Sequence, residues 1–86
     1  MRTIWKYPVE ITDRFIWNIP SGAKFLTLDS NPQLAMWFEV DSDAPKEIRQ
    51  FVVFGTGHQM QEDVNLTYLG TVFVLGLVFH VYEKMA

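Results

Sequence analysis

Nearly every stretch of this chain either alternates apolar and polar residues with a period of two or gathers apolar residues into runs too short for a helix. Side chains of a strand point alternately to its two faces, so this spacing commits a chain to half-buried strands. No segment carries a convincing helical period; at most Pro45–Arg49 is expected to make one short helical turn. Turn-forming residues recur between the strand-like stretches, as in small all-β domains.

The first strand is expected over Thr3–Ile11, with Ile4, Lys6 and Pro8 on one face and Trp5, Tyr7 and Val9 on the other. Pro8 cannot donate to a ladder, which makes this an edge strand or bends it there. Thr12-Asp13 turns the chain into Arg14–Ile19, where Phe15, Trp17 and Ile19 share a face. Pro20-Ser21-Gly22-Ala23 is a second turn. Lys24–Asp29 follows, with Leu26 and Leu28 on one face and Phe25 and Thr27 on the other. Asp29-Ser30-Asn31-Pro32 then joins it to Leu34–Asp41 as a hairpin, with Met36, Phe38 and Val40 alternating against Trp37, Glu39 and Asp41. Ile48–Phe54 is apolar on both faces and reads as a central strand. Gln59–Asn65 is a polar loop. Leu66–Val74 and Leu77–Glu83 close the chain, with Leu75-Gly76 as a tight turn or a bulge. The fold class is therefore all-β: a small antiparallel sandwich or partly open barrel of six to seven short strands.

The 86 residues make one domain, spanning residues 1–86. A domain of this size buries only about two-thirds of the surface of its unfolded chain. Yet 49 % of residues are hydrophobic and 15 % aromatic. Part of that apolar content is expected at an interface, with a second copy or with a partner. The net charge is −3, and the seven basic residues are scattered, without the basic stripe of a nucleic-acid binder. The absence of cysteine excludes disulfides and thiolate metal sites, and suits a reducing cytosol. The longest apolar run, Val72–Phe79, is shorter than the roughly 20 residues of a membrane-spanning helix. The first residues lack the apolar segment of a signal peptide, so the protein is expected to stay where it is made.

Chemistry-bearing residues are few. The turn Gly55-Thr56-Gly57-His58 is the most suggestive: two glycines allow backbone N–H groups to approach a ligand, and Thr56 and His58 add a hydroxyl and a titratable ring. Such a set suits a phosphate or a carboxylate. It lacks the lysine of a phosphate-binding P-loop and the helix of a dinucleotide fingerprint. The alternative is that the glycines only permit a sharp strand exit and His58 bonds its own turn. His80 reads as a half-buried strand residue. Glu62, Asp63 and His80 could join His58 around a metal only by chance, since no ligand spacing exists. Asp41-Ser42-Asp43 lacks the later ligands of a calcium loop and reads as a solvated turn. Ser21, Ser30 and Ser42 lie in turns without the setting of a nucleophile. No catalytic constellation, cofactor or metal is expected.

Trp5, Tyr7, Trp17, Trp37 and Tyr68 combine large area with a polar tip, as interface anchors and base-stacking platforms do. Trp37 stands out because it falls on the polar side of its strand. Arg49 and Lys24 are the nearest candidates to pair with an anion. The candidate binding residues are therefore Gly55, Thr56, Gly57, His58, Trp37 and Arg49.

The ordered series Ile4-Trp5-Lys6-Tyr7-Pro8, Ile11-Thr12-Asp13, Ile19-Pro20 with Gly22-Ala23-Lys24, Trp37, Val40-Asp41 with Asp43-Ala44-Pro45-Lys46-Glu47, Phe54-Gly55-Thr56-Gly57-His58, Tyr68-Leu69-Gly70-Thr71 and Leu77-Val78-Phe79-His80-Val81-Tyr82-Glu83 resembles a family of small proteins carried by tailed bacteriophages and prophages. In that family the glycine–histidine loop runs on into a proline, where this chain has Gln59, and the region Asp29–Leu34 also departs from the pattern. The resemblance implies a short viral accessory protein, from a family with no established enzymatic activity. The expectation is a non-catalytic binder acting in the host cytoplasm as a homo-oligomer. It would counter host defence either by sequestering a small anion such as a nucleotide signal, with Gly55–His58 on phosphate and Trp37 on the base, or by masking a host protein. The alternative is a minor structural or assembly protein of the virion.

Overall fold

The computed structural model describes residues 1–62 and 64–85. Its strands are β1 Arg2–Pro8, β2 Arg14–Pro20, β3 Lys24–Asp29, β4 Ala35–Asp41, β5 Lys46–Gly55, β6 Leu66–Val74 and β7 Leu77–Lys84. They form two antiparallel sheets, ordered β1-β4-β3 and β2-β5-β7-β6. The sheets remain separate, so the fold is a sandwich and the partly open barrel is set aside. Residues 45–49 form no helical turn; the chain passes a bend and enters β5 directly. Asp63, considered above beside Glu62 as a metal ligand, lies outside the described residues.

Alternation builds the core. Trp5 and Tyr7 of β1, Phe15, Trp17 and Ile19 of β2, Met36, Phe38 and Val40 of β4, Phe51 and Val53 of β5, and Val81 of β7 all face inward. Phe38 is fully buried, and its ring lies 5.6 Å from that of Tyr7, 5.7 Å from Phe25 and 6.3 Å from Phe51. Tyr7 stacks on Trp17 at 5.2 Å. Three aromatics that could have served as interface anchors, Trp5, Tyr7 and Trp17, thus pack against the core. β5 is central, as its two-sided apolarity demands, and β1 is an edge, as Pro8 demands.

One alternation is broken. In β3 the register slips between Phe25 and Thr27, so Phe25 and Leu28 face the core while Leu26 and Thr27 are exposed. The expected pairing of Leu26 with Leu28 is corrected by this bulge, which adds one residue and inverts the phase beyond it. β6 carries a matching slip between Tyr68 and Gly70. The two bulged edges meet: a Cβ on Gly70 would lie 3.2 Å from Leu28 Cδ2. That close approach, rather than a turn, is what requires glycine at position 70.

β6 and β7 form a hairpin with Leu75 and Gly76 both at positive φ, 50° and 80°. This is the two-residue turn whose twist matches its strands, and it resolves the choice between turn and bulge. By contrast β5 and β6 run in the same direction with β7 between them. The connection from Gly55 to Leu66 must therefore cross β7, a path of about 20 Å.

Candidate functional site

The crossover places the Gly55–His58 turn on the outer face of the four-stranded sheet. Gly57 has φ 87°. The His58 N–H donates to Gly55 O at 3.1 Å, and the Gly55 N–H donates to His58 Nδ1 at 3.2 Å. Nδ1 accepts, so a neutral His58 carries its proton on Nε2. The ring sits so close that a Cβ on Gly55 would lie 2.8 Å from His58 Cε1. His58 thus bonds its own turn, and two N–H groups of that turn are satisfied internally.

The structure adds a partner that spacing did not suggest. Thr56 Oγ1 bonds His80 Nε2 at 2.8 Å, and Thr71 Oγ1 bonds His80 Nδ1 at 2.9 Å. Tyr68 OH in turn bonds Thr71 Oγ1. Alternation places Tyr68, Thr71, His80 and Tyr82 on the outward face, since Tyr68 pairs with Tyr82 and Thr71 with His80. His80 is half-buried, as expected, but its partners are threonines. A hydroxyl beside an imidazole can serve as a nucleophile and base. Here the group orienting His80 is a neutral hydroxyl, which offers little stabilisation to an imidazolium. Among the described residues no three His, Asp or Glu side chains converge as metal ligands. The chain of bonds instead ties the start of the crossover to β7 and β6.

Trp37 and Arg49 lie elsewhere. Trp37 is half-buried on the outer face of the three-stranded sheet, cross-strand from Lys6, whose ammonium lies 5.9 Å from the indole centroid. Arg49 points between the sheets. Its Nη2 donates to Glu83 Oε1 at 2.9 Å, its Nε donates to Glu83 Oε2, and its Nη1 donates to Ala23 O at 2.7 Å. The guanidinium also lies over Phe38, 5.5 Å from the ring centroid. Chiefly through the Glu83 hydrogen bond, its pKa is raised above the usual arginine value. Of the six candidate residues, the fold brings together Gly55, Thr56, Gly57 and His58. It separates Trp37 and Arg49 from them and from each other.

The outer face of the four-stranded sheet carries a feature not singled out in the sequence. Ile16 (62 % exposed), Ile48 (68 %), Tyr68 (55 %) and Phe73 (70 %) all stand on it. At the β6–β7 tip Leu75 is 98 % exposed and Leu77 61 %. Single exposed apolar residues are ordinary, but several on one face are not. Between this face and the crossover lies a hollow of about 410 Å³. A smaller one of about 230 Å³ lies beside the Gly55–His58 turn, lined also by Met60, His80 and Tyr82.

The fold and this face define a small antiparallel β-sandwich with an apolar outer face crossed by a polar loop. The chain belongs to the family described as Domain of unknown function (DUF7352), whose model matches residues 1–86. No curated protein and no solved structure matches it.

Proposed function

We propose that this chain is a non-catalytic binding protein that masks a protein partner with the outer face of its four-stranded sheet. The observation that carries the reading is that Ile16 and Ile48, diagonal neighbours on β2 and β5, and Tyr68 and Phe73 on β6 all stand on that one face, each more than half exposed. Interfaces place such residues at their centre, where water is excluded. In the setting that the resemblance implies, the partner is a host protein, the compartment is the host cytoplasm, and the effect counters host defence. The nucleotide-sequestering form has less support, because Trp37 and the Gly55–His58 turn stand on different sheets.

The test is affinity capture from bacterial lysate with the wild-type chain and with an Ile48→Glu/Phe73→Glu variant of equal thermal stability, alongside light scattering. A partner held by the wild type and lost by the variant supports the reading, and a second copy of the chain would appear as a dimer lost in the same variant. Equal capture by both chains, or heat released on titration with a nucleotide when neither captures anything, overturns it.

A further inference from the structure

The hollow beneath the crossover is a different place from the exposed hairpin, and its construction is unusual. A connection between two strands that run in the same direction is normally a helix that lays an apolar face on the sheet. Here residues 56–62 and 64–65 are irregular, and the side chains they bring to the hollow include Gln59, Gln61 and Val64. Beneath them the sheet presents Ile16, Val52 and Phe54, an apolar floor that the roof does not fill. Among the described residues Arg14 and Lys84 line the hollow as cations, with the Asp13 carboxylate beside them. Its 410 Å³ is within the range of small-molecule sites. An apolar floor holds water poorly, whereas two cations against one carboxylate among the described lining residues favour a negative guest.

We infer that the hollow between the outer face of β2, β5 and β7 and the crossover residues His58, Gln59, Gln61 and Val64 binds a small amphipathic anion, with its apolar or aromatic body on Ile16, Val52 and Phe54 and its acidic head toward Arg14 and Lys84. Gln59 and Gln61 supply amide donors along the roof. Apolar area provides the attraction and the cations select for charge and set the orientation. This site goes beyond the protein-masking reading; the two share Ile16, and the Ile48→Glu/Phe73→Glu variant separates them because neither residue lines the hollow.

The probe is 8-anilinonaphthalene-1-sulfonate, compared with N-phenyl-1-naphthylamine, the same aromatic body without the sulfonate. The sulfonate dye is expected to bind with one molecule per chain and enhanced fluorescence. Arg14→Gln/Lys84→Gln should weaken it about tenfold and leave the neutral dye unchanged. Val52→Trp, which fills the floor, should abolish both. Ile4→Ser, an exposed apolar change on the other sheet, should alter neither. Because the double variant changes only rim residues, it keeps the proposal testable if Val52→Trp does not fold. Binding of the sulfonate dye that is unaffected by Arg14→Gln/Lys84→Gln overturns the proposal. So does a loss on Phe73→Ser equal to that on Val52→Trp, which would place the dye on the hairpin, and so does a failure of either dye to bind.

Discussion

Arg49 and Glu83 meet diagonally on the inner face of the four-stranded sheet, with Phe38 of the opposite sheet against the guanidinium. The pair closes one end of the sandwich. It engages all three guanidinium nitrogens, because Nε and Nη2 grip the carboxylate while Nη1 holds Ala23 O.

Breaking this pair should destabilise the fold. Removing one partner of a buried pair costs about 3–5 kcal/mol. Here the side chains are 16 % and 9 % exposed, so the loss should fall at the lower end or just below it. Chemical denaturation of Glu83→Gln, Arg49→Met and the double variant should show the double costing less than the sum of the singles. Strict additivity would mean that the two side chains do not interact.

Leu75 is expected to cost stability where it stands. It adopts φ 50° with its side chain 98 % exposed, a conformation that favours glycine or asparagine. Leu75→Gly should stabilise the fold by about 1 kcal/mol, raising the melting temperature by about 4–8 °C. The same variant should weaken partner capture if the side chain is kept for contact. A lowered melting temperature would remove the strain argument.

Gly55→Ala should expel the His58 ring, since the new methyl would meet Cε1 at 2.8 Å. The Gly55 N–H would lose its acceptor, a cost of about 1 kcal/mol. In nuclear magnetic resonance spectra the His58 ring signals should shift as Nδ1 loses the Gly55 N–H, while those of His80, held by Thr56 and Thr71, persist.

The edge of β1 carries a pH-dependent clasp. The Met1 ammonium bonds Asp43 Oδ2 at 2.7 Å and Asp41 Oδ1 at 3.0 Å. The Asp43 and Asp41 hydrogen bonds raise the amine pKa above 8.0, and the amine's hydrogen bond, ahead of the Asp43 N–H, holds Asp41 below 3.8. The clasp should be complete between these two values. It should weaken as the pH rises through the raised amine pKa and as it falls through the depressed Asp41 pKa. Acetylating the amine should erase the alkaline part of this dependence in urea titrations monitored against pH, and leave any fall that other groups cause. An unchanged alkaline dependence after acetylation would count against the clasp.

Much of the fold was legible in period-two spacing. Phe15, Trp17 and Ile19, and likewise Met36, Phe38 and Val40, face inward as their alternation requires. Leu26 was misplaced because a bulge inverts the phase, and that bulge lies on an edge whose contact with Gly70 comes from a distant strand. The Gly55–His58 turn was legible as a pair of glycines around a threonine. Its tie to His80 was not, because it depends on the order β5-β7-β6. Arg49 was misleading: spacing set it on a strand but not against Glu83.

By itself the sequence determined six to seven strands, most of their inward faces and most of the turns between them, because alternation and turn chemistry are local. Which strands became neighbours was decided only in the tertiary structure. Sheet order separated Trp37 from the Gly55–His58 turn, turned Arg49 inward to Glu83, and carried a polar loop across β7, leaving an apolar face and a hollow beneath it. Those outcomes follow from pairings between residues far apart in the chain, which no local pattern encodes.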